Sequence, residues 1–221
     1  MANFPTGLVE TPHHIHPHEM PAKFAAPFME LRDRGFTVVE GLSAAHIGDL
    51  ALISAQKGVQ EFCPRDLSER WADVETVEKQ FAAGKHRGIF RLEEQLSGET
   101  AGFGWTGAAG DDEAMLTGMP YTFAIRLNEE FAGQRLATPF TRAIVYGSMK
   151  YFNAKGIGLE TWASNNKAVN SYVRAGALLT SAQNGERPTL DETFPIAEEG
   201  KHAGKHVRPD TRLYMKFPES A

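Results

Sequence analysis

One stretch of the chain has the residue types and spacing of an anion-binding turn. Residues 121–127 alternate apolar side chains with smaller or polar ones, which predicts a strand, and a helical pattern begins near Leu136. Gly133 lies in the loop between them, and such a loop points several main-chain N–H groups the same way. The helix N-terminus adds about half a positive charge. The pattern predicts a site for a diphosphate, to which Arg135 and Thr138 would add a cation and a hydroxyl; an ordinary α/β loop is the alternative.

Half of the chain's eight histidines lie near the N-terminus, at positions 13, 14, 16 and 18. His16 and His18 are two residues apart, as ligands on one strand face are, and neutral imidazole binds zinc or nickel readily. The nearby carboxylates, Glu10 and Glu19, lie in an irregular, proline-rich context. A packed or solvated arm is the favoured interpretation, and a metal site is the alternative.

The G-x-G-x-x-G spacing of dinucleotide-binding proteins occurs at residues 102–107. That chemistry requires a tight turn from a strand into a helix with an apolar face. Here the glycines fall inside a predicted strand, and the Gly-rich, acidic run 108–115 follows them. We therefore interpret them as a twisted or bulged strand that packs Phe103 and Trp105.

The segment 165–177, NNKAVNSYVRAGA, resembles the second signature of the GNAT superfamily, the acetyl-CoA-dependent N-acetyltransferases. In that family an Asn opens a helix, an Ala and a Tyr follow at fixed spacing, and a Gly closes the helix. The matching residues are Asn165, Ala168, Tyr172 and Gly176. The resemblance extends over roughly residues 35–217. It concerns the order of the motifs along the chain as well as the residues within them.

The predicted anion-binding turn resembles the first signature of the same family: an Arg or Gln, then Gly, any residue, Gly, an aliphatic residue, and Gly or Ala. Residues 132–137, AGQRLA, match it with two departures. Ala132 replaces the polar residue and Arg135 replaces the second glycine. Arg135 fits the turn if its φ is negative, and its guanidinium would then reach a phosphate; the alternative is that it blocks the loop.

The resemblance implies that acetyl-CoA is bound as the acyl donor. Its diphosphate would lie on the loop amides, its pantetheine arm would pair with the main chain of the preceding strand, and Asn165 would bond the pantetheine amides. The strands at 121–127 and 157–163 would run parallel and diverge, leaving a slot for the thioester. The implied cofactor-binding residues are Ile125, Leu127, Gly133, Gln134, Arg135, Leu136, Ala137, Thr138, Asn165 and Ala168.

Acyl transfer to an amine needs a deprotonated nucleophile, a polarised thioester carbonyl and a proton for the leaving thiolate. The resemblance assigns the proton donor to Tyr172 and the polarising group to a main-chain N–H near Leu127. For the base we name Glu94, at a predicted strand end, with an ordinary surface charge as the alternative. Ser148 and Cys63 have no base at a recognisable spacing, so direct attack without a covalent acyl-enzyme is expected. The other candidates for the base are Glu93, Glu129, Glu130, His46 and His86.

The helices and strands that position these residues are predicted from the hydrophobic periodicity and from the positions of Gly and Pro. Their order, β-α-α-β-β-β-α-β-α-β-β, predicts one mixed α/β domain. With the resemblance, we expect a GNAT-like mixed sheet of about six to seven strands and about four helices over residues 35–221. We expect an irregular Pro- and His-rich arm at 1–34, a loop at 108–120, and an irregular, acidic loop over the acceptor side at 184–211.

Composition limits the expected partners. The 221 residues carry 23 Lys and Arg against 28 Asp and Glu, a net charge of −5, so nucleic acid is not an expected partner. No apolar stretch approaches the roughly 18 residues that span a bilayer, so no membrane partner is expected. Cys63 is the one cysteine, which favours a reduced, cytoplasmic location. The expected partners are acetyl-CoA, an unidentified primary amine, and a second copy of the chain in a homodimer.

Two other functions stay open at this point. Ala132 and Arg135 in the anion loop suggest a GNAT-shaped module that binds CoA or regulates without catalysis. The histidines of residues 1–34 suggest a metal-dependent function.

Overall fold

A mixed β-sheet forms the centre of the molecule. This computed structural model describes residues 13–15, 18, 20–63, 73–82, 88–152 and 154–218. The strands in this part of the chain are β1 (His13–His14), β2 (Phe36–Glu40), β3 (Gly88–Glu94), β4 (Thr100–Ala108), β5 (Tyr121–Leu127), β6 (Gly156–Trp162), β7 (Leu178–Pro188) and β8 (Val207–Pro218). Their order across the sheet is β1-β2-β3-β4-β5-β6-β8-β7, and every neighbouring pair is antiparallel except β5 and β6.

Helices cover both faces of the sheet. Those in the described part of the chain are α1 (Ala22–Asp33), α2 (Ile47–Ala55), α3 (Lys57–Phe62), α4 (Val74–Ala82), α5 (Asp111–Thr117), α6 (Ala137–Phe152) and α7 (Asn166–Ala175). Helix α6 packs against α1 and α7, and Phe28, Phe140 and Tyr172 from these three helices belong to one buried cluster on the first face. Leu50 of α2 and Val77 of α4 belong to a second cluster on the opposite face. The sheet therefore separates two apolar cores.

The short helix α5 lies on the second face, opposite α6 and α7. Ile157 and Leu159 of β6 point into the first cluster, so Gly158 between them points the other way. A Cβ on Gly158 would come within 2.7 Å of the Thr117 hydroxyl at the end of α5. This alternation fixes which side chains of β5 and β6 can meet α5.

The predicted mixed sheet is confirmed, and so are the helices that follow β5 and β6. Pro139 falls in the first turn of α6, where its missing N–H has no intrahelical partner to lose. Gly176 ends α7 in the left-handed conformation, with φ of 105°. The described residues contain more helices than the four expected, because α1, α3 and α5 have weak periodicity in the sequence.

The glycine-rich run 102–107 lies within β4, as expected. A Cβ on Gly104 would come within 2.8 Å of the Ala124 carbonyl oxygen on β5, so this position has no room for a side chain. The rings of Phe103 and Trp105 stack with centroids 6.0 Å apart. The structure thus agrees with a packing role for these glycines and not with a dinucleotide turn.

The expectation of an irregular arm through residue 34 is wrong for residues 22–33, which form α1. Pro21 occupies the N-cap, where proline is tolerated, and Pro27 lies inside the helix. Phe28 and Leu31 are buried in the first cluster, and this tertiary packing outweighs the lost hydrogen bond at Pro27. Most of the predicted arm before residue 20, including His16, lies outside the described residues.

Two predicted loops also contain regular structure. Residues 111–117 of the predicted loop 108–120 form α5, which begins with three acidic residues and ends at Gly118 with φ of 70°. The predicted irregular segment 184–211 instead begins with the end of β7 and ends with the start of β8, and these two stretches pair as an antiparallel ladder. Only the centre of that segment is irregular.

Among the described residues, no helix is long and apolar enough to cross a membrane. No group of three or more His, Cys, Asp or Glu side chains lies close enough to hold a metal ion within the same residues. His13 and His14 form β1, which pairs with β2. The cytoplasmic location stays a prediction.

Candidate active site

A slot opens where β5 and β6 diverge. These parallel strands are bridged at Thr122 and Gly158, at their N-terminal ends, and no further pair follows in the ladder. The slot beyond this bridge is a cavity of about 680 Å³, lined by β5 from Thr122 to Leu127 and by β6 from Glu160 to Trp162. The predicted parallel, diverging strands are therefore present, and the point where they separate is the apex of the slot.

The main chain of β5 presents hydrogen-bonding groups to this slot. The carbonyl oxygens of Ala124 and Arg126 point at β4, because a Cβ on Gly104 or Gly102 would meet them at 2.8 or 2.7 Å. Peptide groups alternate along a strand, so the N–H groups of Ile125 and Leu127 face the slot. This placement agrees with the expectation that Ile125 and Leu127 pair with an extended ligand.

The loop at the head of α6 forms one end of the slot. Gly133 and Arg135 both have positive φ, 86° and 57°, and Arg135 is the one non-glycine residue with positive φ in the described part of the chain. The expectation of a negative φ at Arg135 is wrong: the arginine takes the left-handed conformation that a glycine would take at this position in the resembled motif. Gly133, Arg135, Leu136 and Ala137 line the slot, whereas Gln134 and Thr138 do not.

The Arg135 side chain does not close this turn. It is exposed, and among the described residues it has no hydrogen-bond or ion-pair partner. The Gln134 carbonyl instead accepts a hydrogen bond from the Arg34 guanidinium at 3.3 Å, which ties the loop to the end of α1. The first-turn N–H groups of α6 have no intrahelical acceptors, so they are available to an anion.

Helix α7 forms a second wall through Asn165, Ala168 and Tyr172. Asn165 is the N-cap of α7, and its side-chain Oδ1 accepts a hydrogen bond from the Ala168 N–H at 3.2 Å. Its amide Nδ2 is a donor only, so Asn165 can cap the helix and still donate to a ligand.

Tyr172 is buried beside the apex of the slot. Its ring packs edge-on against Phe123, with centroids 5.8 Å apart. Burial raises the pKa of Tyr172 to about 12, against a smaller opposing effect of Arg126. The hydroxyl therefore stays protonated at neutral pH and can donate a proton or a hydrogen bond.

The structure does not bring Glu94 to the slot. Its carboxylate accepts hydrogen bonds from the main-chain N–H groups of Leu96 and Ser97, at 3.1 and 2.7 Å, in the turn after β3. These bonds, led by that from Ser97, lower the pKa of Glu94. The geometry therefore does not favour Glu94 as the base, because Glu94 does not line the slot and its carboxylate is already hydrogen-bonded within the turn.

Of the other predicted bases within the described residues, Glu129 borders the slot, whereas Glu93, Glu130 and His46 do not. The Glu129 carboxylate accepts a hydrogen bond from the Gly58 N–H at 2.7 Å. His46 is the N-cap residue of α2, where burial and then the nearby Arg91 lower its pKa. Glu93 is ion-paired with Arg91 at 2.5 Å. His86 lies outside the described residues.

A second cavity of about 1020 Å³ adjoins the slot on the face of the sheet that carries α5. Arg212 and Glu160 form an ion pair at its edge, and the Arg212 guanidinium lies 4.0 Å from the centre of the Trp162 ring. The residues that border both cavities are Glu113, Glu160, Trp162 and Arg212. The carboxylates that line the second cavity are those of Asp111, Asp112, Glu113, Glu160, Glu186 and Glu199. This surplus of carboxylates gives the second cavity a negative potential.

Comparisons with known proteins identify the fold. No protein-family model matches the chain, and no curated protein matches it significantly. Among solved structures it is similar to a spermidine N-acetyltransferase from Vibrio cholerae in complex with CoA and spermine, with a TM-score of 0.60, 16% identity, and 84% of this chain and 96% of that one covered.

Two further structures have the same architecture. A GNAT-family acetyltransferase from Bacillus anthracis matches with a TM-score of 0.58 and 11% identity, covering 83% of this chain and 96% of that one. The aminoglycoside acetyltransferase AAC(6')-Ib in complex with coenzyme A matches with a TM-score of 0.53 and 19% identity, covering 83% and 95%. The chain has the GNAT fold. This confirms the predicted fold class and the resemblance seen in the sequence.

Several slot residues of this GNAT fold carry no sequence signature. Val59, Phe62 and Cys63 border the slot from α3 and its C-terminus, and they come close only through tertiary packing. The Arg126 guanidinium lies 5.0 Å from the centre of the Trp105 ring beside the slot. The sequence did contain a signal for α5. Acidic residues favour the first turn of a helix, and a glycine such as Gly118 favours its end.

Proposed function

We propose that this protein is an acetyl-CoA-dependent N-acetyltransferase that acts on a primary amine. One observation carries this proposal: β5 and β6 part beyond Thr122 and Gly158, and the resulting slot leads to an open, positive-φ turn at the head of α6. A diphosphate on that turn would direct a thioester along β5 towards Tyr172. The sequence signatures at 132–137 and 165–176 line this same slot.

The proposed reaction is direct attack of the amine on the thioester. The amine nitrogen forms a bond to the carbonyl carbon while the main-chain N–H of Leu127 stabilises the negative charge on the oxygen. The carbon–sulfur bond then breaks, and the thiolate takes a proton from the Tyr172 hydroxyl. The proton that the nitrogen loses restores the phenol through solvent, so the products are the amide and the CoA thiol. A phenol is a suitable donor because it holds its proton until a thiolate develops beside it.

The acceptor approaches from the α5 face of the sheet, where the second cavity adjoins the slot. Its carboxylates favour an amine that is protonated and positively charged in solution. Two of the similar structures are named for amines of this kind, spermidine and an aminoglycoside. We therefore place cationic amines first among the acceptors, with amino acids and peptide N-termini behind them.

A catalytically inactive CoA-binding module is the second candidate. Ala132 and Arg135 favour it, because the first lacks the polar side chain of the resembled motif and the second lacks its glycine. This candidate predicts CoA binding without thiol release.

Thiol release from acetyl-CoA tests the proposal directly. The purified protein is mixed with acetyl-CoA and, separately, with spermidine, an aminoglycoside, lysine and a short peptide with a free N-terminus. We expect thiol release above the rate of acetyl-CoA hydrolysis with at least one of these amines, and a mass increase of one acetyl group on that amine. CoA binding by calorimetry with no thiol release from any amine would favour the inactive module. No CoA binding at millimolar concentration would contradict both candidates.

A further inference from the structure

We propose that Arg187 of β7 and Asp210 of β8 are positioning residues that together hold two walls of the slot in place. One wall is the end of α3, where Phe62 borders the slot, and the other is the start of α7, where Asn165 borders it. Arg187 and Asp210 do not line the slot, so they act through their neighbours. The inference rests on the proposed function for the identity of the ligand that the slot takes.

Arg187 and Asp210 form a buried ion pair. Their side chains are 1% and 6% exposed, and Arg187 Nε donates a hydrogen bond to Asp210 Oδ2 at 3.0 Å. In the β7–β8 ladder Arg187 is opposite Arg208, and Asp210 is opposite Gly185, so the two members of the pair are diagonal neighbours on one face. A pair that is removed from water needs further hydrogen bonds to compensate for its lost hydration. These further partners lie in the two walls.

Arg187 contacts the end of α3. Its Nη1 donates a hydrogen bond to the main-chain carbonyl of Glu61, and its guanidinium carbon lies 4.7 Å from the centre of the Phe62 ring. The last carbonyls of a helix have no intrahelical donor, and a cation near them is favourable for the helix dipole. Helix α3 has six residues, and a helix this short depends on tertiary contacts for its stability. Arg187 therefore fixes the position of the wall that carries Phe62.

Asp210 contacts the segment that leads into α7. Its carboxylate accepts hydrogen bonds from the Ser164 N–H at 3.3 Å, from the Ser164 hydroxyl, and from the Thr211 N–H at 2.7 Å. Burial acts to raise the pKa of Asp210, but these hydrogen bonds and the Arg187 charge outweigh it, so the pKa is lowered. Ser164 immediately precedes Asn165, the N-cap of α7. Asp210 therefore fixes the point at which α7 begins.

The ion pair joins segments that are far apart in the chain. Arg187 and Glu61 are 126 positions apart, and Asp210 and Ser164 are 46 positions apart. The pair lies in the outer part of the β7–β8 ladder, where β8 no longer pairs with β6. This outer ladder is thus linked to the slot through the pair, although its own residues 187 and 210 lie outside the slot.

The ligand contact that depends most on this arrangement is that of Asn165. In the proposed complex its amide Nδ2 donates to the pantetheine arm, and a hydrogen bond weakens steeply when its donor is displaced or turned away. Tyr172 belongs instead to the first buried cluster and packs against Phe123, so it keeps its place without the ion pair. We therefore expect loss of the pair to weaken acetyl-CoA binding and to leave the chemical step unchanged.

The test replaces both charges in Arg187→Met/Asp210→Leu. Removing both avoids an unpaired buried charge, and such double replacements are often neutral for stability. Ser164 is half-buried, so water can take the place of its lost partner. We expect amide hydrogen exchange, followed by mass spectrometry, to become about tenfold faster or more in residues 57–62 and 163–168 and to stay unchanged in α6.

Ligand binding gives the second measurement on Arg187→Met/Asp210→Leu. Calorimetry should give a Kd for CoA about tenfold higher than that of the unchanged protein. With any amine of the panel above that is turned over, the KM for acetyl-CoA should rise while kcat stays the same, because the interaction that is lost is one of binding.

Two further variants separate positioning from stability. Arg91→Met removes another buried, ion-paired arginine that does not line the slot. It should lower the free energy of unfolding and leave both the Kd for CoA and the exchange of the two walls unchanged. Arg187→Lys keeps a charge beside Asp210 without the planar group that reaches two partners, so exchange should rise more in residues 57–62 than in 163–168.

Unchanged exchange in the two walls, or an unchanged Kd for CoA, in the folded double variant would overturn the inference. Exchange that is faster to the same extent in the walls and in α6 would also overturn it, because that pattern indicates a general loss of stability. If the double variant does not fold, Arg187→Lys decides: unchanged exchange in residues 57–62 would overturn the inference. If the unchanged protein does not bind CoA at millimolar concentration, the proposed function fails, and hydrogen exchange still decides whether the ion pair holds the two walls.

Discussion

Tyr172 is the residue on which the proposed chemistry of the slot depends most. Its hydroxyl is buried at the apex, with a pKa of about 12. Replacing it with Phe removes the proposed proton donor and keeps the edge-on packing against Phe123. We expect Tyr172→Phe to lower kcat by about 10²-fold or more with little change in CoA affinity. Steady-state kinetics and calorimetry measure the two; equal kcat in both proteins across pH would remove Tyr172 from the mechanism.

The same pKa predicts a loss of stability at high pH. In the unfolded chain the phenol ionises near pH 10, whereas in the folded protein it stays neutral until about pH 12. The folded state therefore loses free energy relative to the unfolded state between those pH values, by about 2–3 kcal/mol for a shift of this size. Urea unfolding at pH 9 and pH 11.5 should show this loss, and Tyr172→Phe should lose less. A loss of the same size in both proteins would argue against the shifted pKa.

Arg135 combines a backbone conformation suited to glycine with a cationic side chain at the anion-binding turn. The left-handed conformation costs a non-glycine residue roughly 1 kcal/mol, so Arg135→Gly should raise the free energy of unfolding by up to about that amount. Arg135→Ala, which keeps the strain, should not. If the guanidinium reaches a phosphate, both variants bind CoA about tenfold more weakly. Tighter binding by Arg135→Gly would show that the side chain obstructs the turn.

At the scale of elements, α1 belongs to the same core as the rest of the fold. Leu31 is fully buried in the first cluster, whereas Met29 on the same helix is 41% exposed. We expect Leu31→Ala to lower the free energy of unfolding by about 2–5 kcal/mol and Met29→Ala by less than about 0.5 kcal/mol. Urea unfolding monitored by circular dichroism measures both. Equal small effects would indicate that α1 is a detachable arm, as the prolines of the sequence suggested.

The elements that carry the two sequence signatures could be predicted from sequence. Helix α7 has a capping Asn165, a terminal Gly176 and a one-sided apolar face, so local and tertiary preferences agree. The anion-binding turn was located in the same way, although the φ of Arg135 was not. The backbone conformation of a single loop residue is set by how the flanking strand and helix are placed, and composition does not encode that placement.

The outer part of the β7–β8 ladder, residues 184–188 and 207–211, could not be predicted, because these residues have the composition of a loop. Pro209 of β8 pairs opposite Glu186 of β7, and Gly185 is its neighbour. Strand β8 pairs with β6 only from Arg212 onward, so at Pro209 it has a neighbour on one side. Proline is tolerated in such an edge position, because on the side without a neighbouring strand its missing N–H costs no hydrogen bond.

At the scale of the molecule, the sheet divides the site into two entrances. The face with α6 and α7 carries the proposed anion-binding turn and the Tyr172 phenol, and the face with α5 carries the carboxylates of the second cavity. The diverging strands β5 and β6 are the one opening that joins the two faces in the described part of the chain. The pairing of side chains across this opening could not be predicted from sequence, because residues far apart along the chain, such as Trp105 and Tyr172, line the same slot.

A crystal structure of the protein with CoA tests the central claim most directly. We predict that the diphosphate oxygens lie about 3 Å from main-chain nitrogens of residues 133–138. The pantetheine arm should run along the Ile125 and Leu127 amides, and the sulfur should lie beside Tyr172. A diphosphate bound elsewhere, or a slot that stays empty at millimolar CoA, would contradict the account.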